Sequence, residues 1–111
     1  MKKILVTGSG GIGGVNFVRA LRVIDEKFFI VGTDFNQYHL EFPDVDIRVR
    51  TPRHSDPQFI PLIKKIISEH SIDFIHPQPS SESLVISENT ELKQKTFLPN
   101  SSTISYDKLT T

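Results

Sequence analysis

The 111-residue chain contains no cysteine. Disulfides and thiolate metal sites are thereby excluded, and a reducing, cytoplasmic setting is the expected one. It also carries no net charge, with 13 Lys and Arg against 13 Asp and Glu. Nucleic acid and anionic membrane surfaces need a basic face, so neither is expected as a partner. The nearest basic cluster, Lys64 and Lys65 with His70, falls along one predicted helix and reads as a solvated face. No apolar run is long enough for a membrane span or a signal peptide: Ile4-Leu5-Val6 stops at Thr7-Gly8. Internal repeats and low-complexity segments are absent as well. What is there is an ordinary globular composition, 37% hydrophobic and 23% charged. The length suits one domain that buries roughly two-thirds of its unfolded surface.

The pattern alternates strand and helix. Ile4-Leu5-Val6 is a short apolar run, as expected for a central parallel strand. Val15, Val18 and Leu21, with Phe17, Ala20 and Ile24 beside them, form an apolar helix stripe. Phe28 to Val31 is a second strand. Residues 45–50, VDIRVR, alternate strictly, which predicts a half-exposed edge strand with Val45, Ile47 and Val49 on one face. Ser55-Asp56-Pro57-Gln58 is a helix start: Ser55 or Asp56 can cap, Pro57 fits the first turn, and Gln58 can close a capping box on Ser55. Ile60, Ile63 and Ile67, with Phe59, Leu62 and Ile66, then give the apolar face, and Pro61 either bends the helix or marks where its regular part begins. Ile72 to His76 is the next strand. Ser80 or Ser81 caps a third helix carrying Leu84, Val85 and Leu92, and Thr96-Phe97-Leu98 is a short last strand. This alternation predicts a doubly wound, mostly parallel α/β sheet of Rossmann-like type, in the order 3-2-1-4-5.

Five of the six glycines fall in residues 8–14, directly after the first strand and directly before the first helix. Gly8-x-Gly10-x-x-Gly13 fits the dinucleotide fingerprint, and Gly8-x-x-Gly11-x-x-Gly14 fits the looser spacing of short-chain dehydrogenases and epimerases. Asp34 ends the second strand, where a ribose-binding acid would sit. Glycines let backbone N–H groups approach an anion at a helix N-terminus. The alternative is a tight strand-to-helix turn with no ligand. Dehydrogenase chemistry is not supported: neither Tyr38 nor Tyr106 has a lysine four positions on. Phosphoryl transfer is not supported either, because the loop runs into Val15-Asn16-Phe17 without a Walker lysine.

A broader resemblance spans the chain. "TGSGGIGGVNFVRALR" resembles the opening of the N-terminal, pre-ATP-grasp domain of carbamoyl-phosphate-synthase-like ATP-grasp proteins. Their loop reads T-G-x-G-G-x-x-G-V-N and is followed by I/V-R-x-L-R. Thr7, Gly8, Gly10, Gly11, Gly14, Val15, Asn16, Val18, Arg19, Leu21 and Arg22 match it. "VGTDFNQYHLEFPDVD" is similar to their acid-ended second strand and Y-x-x-x-x-A/P-D segment. "IDFIHPQPSSES" is similar to their D-x-I-x-P-x-x-x-x-E. "FLPNSSTISYDKLT", with Pro99 and Asp107-Lys108, resembles the lead into the ATP-grasp domain. Ile12-Gly13 departs from the proline and alanine that relatives often carry.

The resemblance implies an ATP-dependent carboxylate–amine or carboxylate–thiol ligase that passes through an acyl-phosphate. Residues 1–100 would be its substrate-side domain and 101–111 the start of the linker into an ATP-grasp domain that holds ATP and Mg²⁺. The chain is accordingly expected to be a fragment, inactive alone, with no cofactor of its own and with self-association left open. Gly8, Ser9, Gly10 and Gly11 are implied as backbone donors to a small carboxylate or amine substrate. Asp34, Gln78 and Glu82 are implied as side-chain contacts, all opening into one cleft with the glycine loop. The alternative function is a free-standing NAD(P)- or nucleotide-binding Rossmann module. A third is an interaction domain whose glycines are only structural.

The remaining candidates are weaker. His76, at a strand end, reads as a hydrogen-bonded structural residue. His39, His54 and His70 have no metal-ligand spacing. Asp73 is expected to make a local turn, and Asp44 and Asp46 to be solvated. No nucleophile–base pair is evident.

Overall fold

The computed structural model describes residues 1–95. The elements are β1 Lys2–Thr7, α1 Ile12–Arg22, β2 Phe28–Asp34, β3 Ile47–Arg50, α2 Phe59–His70, β4 Phe74–Pro77, α3 Ser80–Ser87 and α4 Thr90–Lys93. A single 3₁₀ turn, His39–Glu41, lies between β2 and β3. The four strands form one all-parallel sheet in the order β3-β2-β1-β4. The strand expected over Thr96-Phe97-Leu98 and the 101–111 segment lie outside the described residues. No helix among the described residues is long and apolar enough to cross a membrane.

Strand alternation sorts the core into two layers. Leu5, Val31 and Ile75 sit side by side in the ladder and face Phe59, Ile63 and Ile66 of α2 with Ile86 of α3 and Leu92 of α4. Ile4, Val6 and Ile30 face the other way, onto Val18 of α1. Both faces of the central strands are therefore covered, which is why β1 and β2 read as continuous apolar runs.

Local chemistry departs from the sequence reading in several places. Val45 does not share a face with Ile47 and Val49. It packs with the α1 layer, whereas they pack with the α2 layer. The alternation breaks because residue 46 is pinned to β2. Its N–H donates to the Ile30 carbonyl at 2.9 Å, and its Oδ2 accepts from the Ile30 N–H at 2.7 Å and from Arg22 Nη2 at 3.0 Å. Asp46 is thus a structural acceptor and not merely solvated. Asp73 likewise ties β4 to β1: its N–H donates to the Lys3 carbonyl and its Oδ2 accepts from the Lys3 N–H, at 2.8 and 2.9 Å.

Of the two caps open at the start of α2, Asp56 is the one used: its Oδ1 accepts from the Gln58 N–H at 2.8 Å. Pro61 falls in the first turn, where its missing N–H leaves no helix bond unmade. The third helix is two: α3 ends at Ser87, and Asn89 caps α4 by accepting from the Leu92 N–H at 3.1 Å. Leu84 is exposed, and Glu82 and Ile86 take the buried positions of α3.

Candidate functional site at the carboxyl edge of the sheet

Residues 8–11 cross from β1 to α1 at the carboxyl edge of the sheet, the edge where open α/β sheets bind ligands. Gly8 has φ +62°, and a Cβ there would lie 2.2 Å from Pro79 Cγ. A Cβ on Gly10 would lie 2.4 Å from the His39 carbonyl oxygen. These two glycines are demanded by the loops that close over them, the β4–α3 loop on one side and the 3₁₀ turn on the other. Gly11 and Gly13 are different. A Cβ on Gly11 would meet nothing nearer than the Gly8 oxygen at 3.7 Å, and one on Gly13 would meet only the flexible end of Gln78.

The donors of the loop are largely committed inside the fold. The Ser9 N–H donates to the Thr33 carbonyl at 2.9 Å, the Gly10 N–H to Asp34 Oδ2 at 3.0 Å, and the Gly11 N–H to the Gly8 carbonyl at 3.3 Å. This corrects the expectation that Ser9, Gly10 and Gly11 present free backbone donors. The N–H groups of Ile12 and Gly13 in the first turn of α1 have no acceptor among the described residues. Gly11 caps α1 without a side-chain hydrogen bond, and no acidic residue stands in the first turn. The acid nearest the positive end of the helix dipole is Asp34, whose carboxylate lies on the Gly10 N–H just before the cap.

The three expected side-chain contacts divide. Asp34 is only 6% exposed, with Oδ2 on the Gly10 N–H and Oδ1 on the Asn36 N–H, both at 3.0 Å. It shapes the loop from within. Gln78 lies over Gly13, its Oε1 2.8 Å from His76 Nε2, and the His76 ring stacks on Phe17 at 3.7 Å. Glu82 is 4% exposed, and its Oε1 has no hydrogen-bond partner among the described residues. Burial pushes its carboxyl above the ordinary range, the neighbouring Thr7 hydroxyl pulls it back, and the Asp34 charge pushes it up further. Asp34 and Gln78 therefore both reach the glycine loop, but Asp34 and Glu82 are buried and do not open into a common cleft with it. A carboxyl group on the first turn of a helix normally faces water; this one is turned inward beside Thr7 at the end of β1.

The open space beside the loop is a groove of about 610 Å³ between Gly10–Ile12, Asn16 and Arg19 on one side and His39 and Phe42 on the other. The sequence reading did not single out His39 or Phe42 as site residues; the one signal was their position inside the Tyr38-to-Asp44 segment of the resemblance. No group of three or more His, Asp or Glu among the described residues could hold a metal ion.

No family model and no curated protein matches the sequence. Among solved structures the chain is similar to dTDP-glucose 4,6-dehydratase from Bacillus anthracis str. Ames in complex with NAD. The TM-score is 0.61 at 20% identity, over 86% of this chain and 35% of that one. The chain spans about a third of that protein's length. The class is thereby defined: a doubly wound α/β domain with a Rossmann-like parallel sheet.

Proposed function

We propose that the start of α1 is a small-molecule site that takes an anionic group, and that this domain is the substrate side of a carbamoyl-phosphate-synthase-like ATP-grasp ligase. The observation that carries the ligand reading is the bare backbone at Gly11 and Gly13. No described residue requires glycine at Gly11, and at Gly13 only a movable side-chain end stands in the way. A tight turn alone explains Gly8 and Gly10 but leaves these two without a reason. Open N–H groups at Ile12 and Gly13, a first helical turn with no acid of its own, and Arg19 along the groove that Ile12 lines all suit a carboxylate or phosphate.

The ligase reading is supported by the four-segment sequence resemblance and by Gln78 and Pro79 lying on the glycine loop. In that reading ATP and Mg²⁺ belong to ATP-grasp domains beyond these residues, and the 111-residue chain has no turnover of its own. A second reading, a nucleotide- or NAD(P)-binding module, is favoured by the likeness to the NAD-bound dehydratase. The inward commitment of Asp34 weighs against a ribose contact there.

Melting temperature measured against phosphate, a small carboxylate, Mg·ATP, NAD and NADP separates the two, with an ATPase assay in parallel. The ligase reading expects stabilisation by phosphate or carboxylate, none by Mg·ATP, and no hydrolysis. A shift with NAD or NADP alone moves the assignment to the dinucleotide module. ATP turnover by this chain overturns the substrate-side reading. No shift with any of the five overturns the ligand reading of Gly11 and Gly13.

A further inference from the structure

A second groove, about 550 Å³ in volume, lies at the carboxyl ends of β2 and β3, and its lining shares no residue with the glycine-loop groove. Phe35, Arg50, Thr51, Arg53 and Asp56 line it. Its size is in the range of pockets that hold small metabolites, about 300–1,000 Å³.

Three sets of donors meet there. The Arg53 guanidinium lies over the Phe35 ring, 4.3 Å from its centroid, and none of its N–H groups has an acceptor among the described residues. Stacking on one face holds the fork in place and leaves its edge available for bidentate bonds. Arg50 donates through Nε to the Phe35 carbonyl at 3.1 Å and through Nη1 to Gln37 Oε1 at 3.1 Å. Its Nη2 is left with no acceptor among the described residues. Thr51 is held at the strand end by its N–H, which donates to the Asp34 carbonyl at 3.0 Å. It is only 3% exposed, and its hydroxyl has no hydrogen-bond partner among the described residues. An unsatisfied buried hydroxyl is destabilising unless something else bonds it. Asp56 is the one acid on the lining, with Oδ1 engaged by the Gln58 N–H at 2.8 Å, so the two arginines leave one net positive charge.

We propose that this groove binds the phosphate group of a small phosphorylated metabolite, with Arg53 as the bidentate anchor and Arg50 Nη2 and the Thr51 hydroxyl as further donors. Phosphate is preferred to carboxylate because three separate donor groups suit the three terminal oxygens of a tetrahedral phosphate group better than the two coplanar ones of a carboxylate. The site goes beyond the glycine-loop proposal and stands or falls separately from it.

The test is an NMR titration of the full chain with inorganic phosphate, and with acetate, at constant ionic strength. Amide signals and arginine Nε signals are followed in the wild type and in Arg53→Gln and Thr51→Val. Saturable phosphate shifts are expected at Thr51 and Arg53. Arg53→Gln should weaken binding about tenfold or more, the scale of a lost charge-assisted bidentate pair. Thr51→Val should weaken it several-fold while leaving the melting temperature without phosphate unchanged or raised, since the hydroxyl it removes is unpaired. The proposal is overturned by shifts confined to Ile12 and Gly13, by equal affinity in all three proteins, by acetate binding as tightly as phosphate, or by no saturable shift.

Discussion

The sharpest consequence of the loop geometry is a contrast between two adjacent glycines. Gly10→Ala places a methyl group 2.4 Å from the His39 carbonyl oxygen and 2.7 Å from His39 Cβ. Ordinary contact begins near 3.4 Å, so the 3₁₀ turn must retreat by about 1 Å. That turn is held by Arg48, which donates to the Leu40 and Pro43 carbonyls at 2.9 and 2.8 Å, and cannot withdraw freely. Overpacking of this kind costs about 1–3 kcal/mol. Displacing the loop also weakens the Gly10 N–H bond to the Asp34 carboxylate, a charged-acceptor bond of about 1.5–3 kcal/mol. A loss of about 3 kcal/mol is expected, a large share of the ~5–15 kcal/mol typical of a domain. Gly11→Ala meets no atom within 3.7 Å and costs at most about 1 kcal/mol, because alanine caps a helix less well than glycine. Urea denaturation followed by circular dichroism measures both. In melting temperature, Gly10→Ala should lose on the order of 10 °C or more. A Gly10→Ala protein within about 0.5 kcal/mol of wild type would refute the close approach of loop and turn.

Two further outcomes test the buried acid and the end of α2. Glu82 is held above its ordinary value of 4.5 chiefly by burial, so the folded chain binds its proton more tightly than the unfolded chain does. Its contribution is fully present below 4.5 and is lost as pH rises through the folded value. Glu82→Gln should therefore flatten the fall in stability above pH 4.5 and stabilise the fold at pH 7; urea midpoints across pH 4–8 with an unchanged slope would contradict this. Ser71 ends α2 in the left-handed region at φ 53°, ψ 52°, where a side chain is strained. Ser71→Gly should raise stability by about 0.5–1 kcal/mol, and a loss on thermal unfolding would count against that backbone conformation.

Much of this fold was legible in the sequence because it depends on local periodicity. Apolar runs at 4–6 and 28–31 announce strands covered on both faces, and the helical stripe at 15–21 announces the layer that covers one of them. The parallel order follows from their alternation, and the strand-end position of the glycine loop and Asp34 follows from that order. What the side chains at that edge do was not legible, since it depends on partners far apart in the chain. Asp34 turns onto the Gly10 N–H across 24 residues, and Asp46 pins Ile30 across 16. Glu82 is buried and Leu84 exposed because of how α3 is turned on β4 and α4, which brings Glu82 beside Thr7. The distinction between glycines that packing demands and glycines that it does not, and the meeting of Arg50, Thr51 and Arg53 in one groove, arise only when register and crossover bring separate loops together. Periodicity says which face a residue takes; only the tertiary structure sets what stands opposite, because hydrogen bonds and close contacts are decided within a few tenths of an ångström.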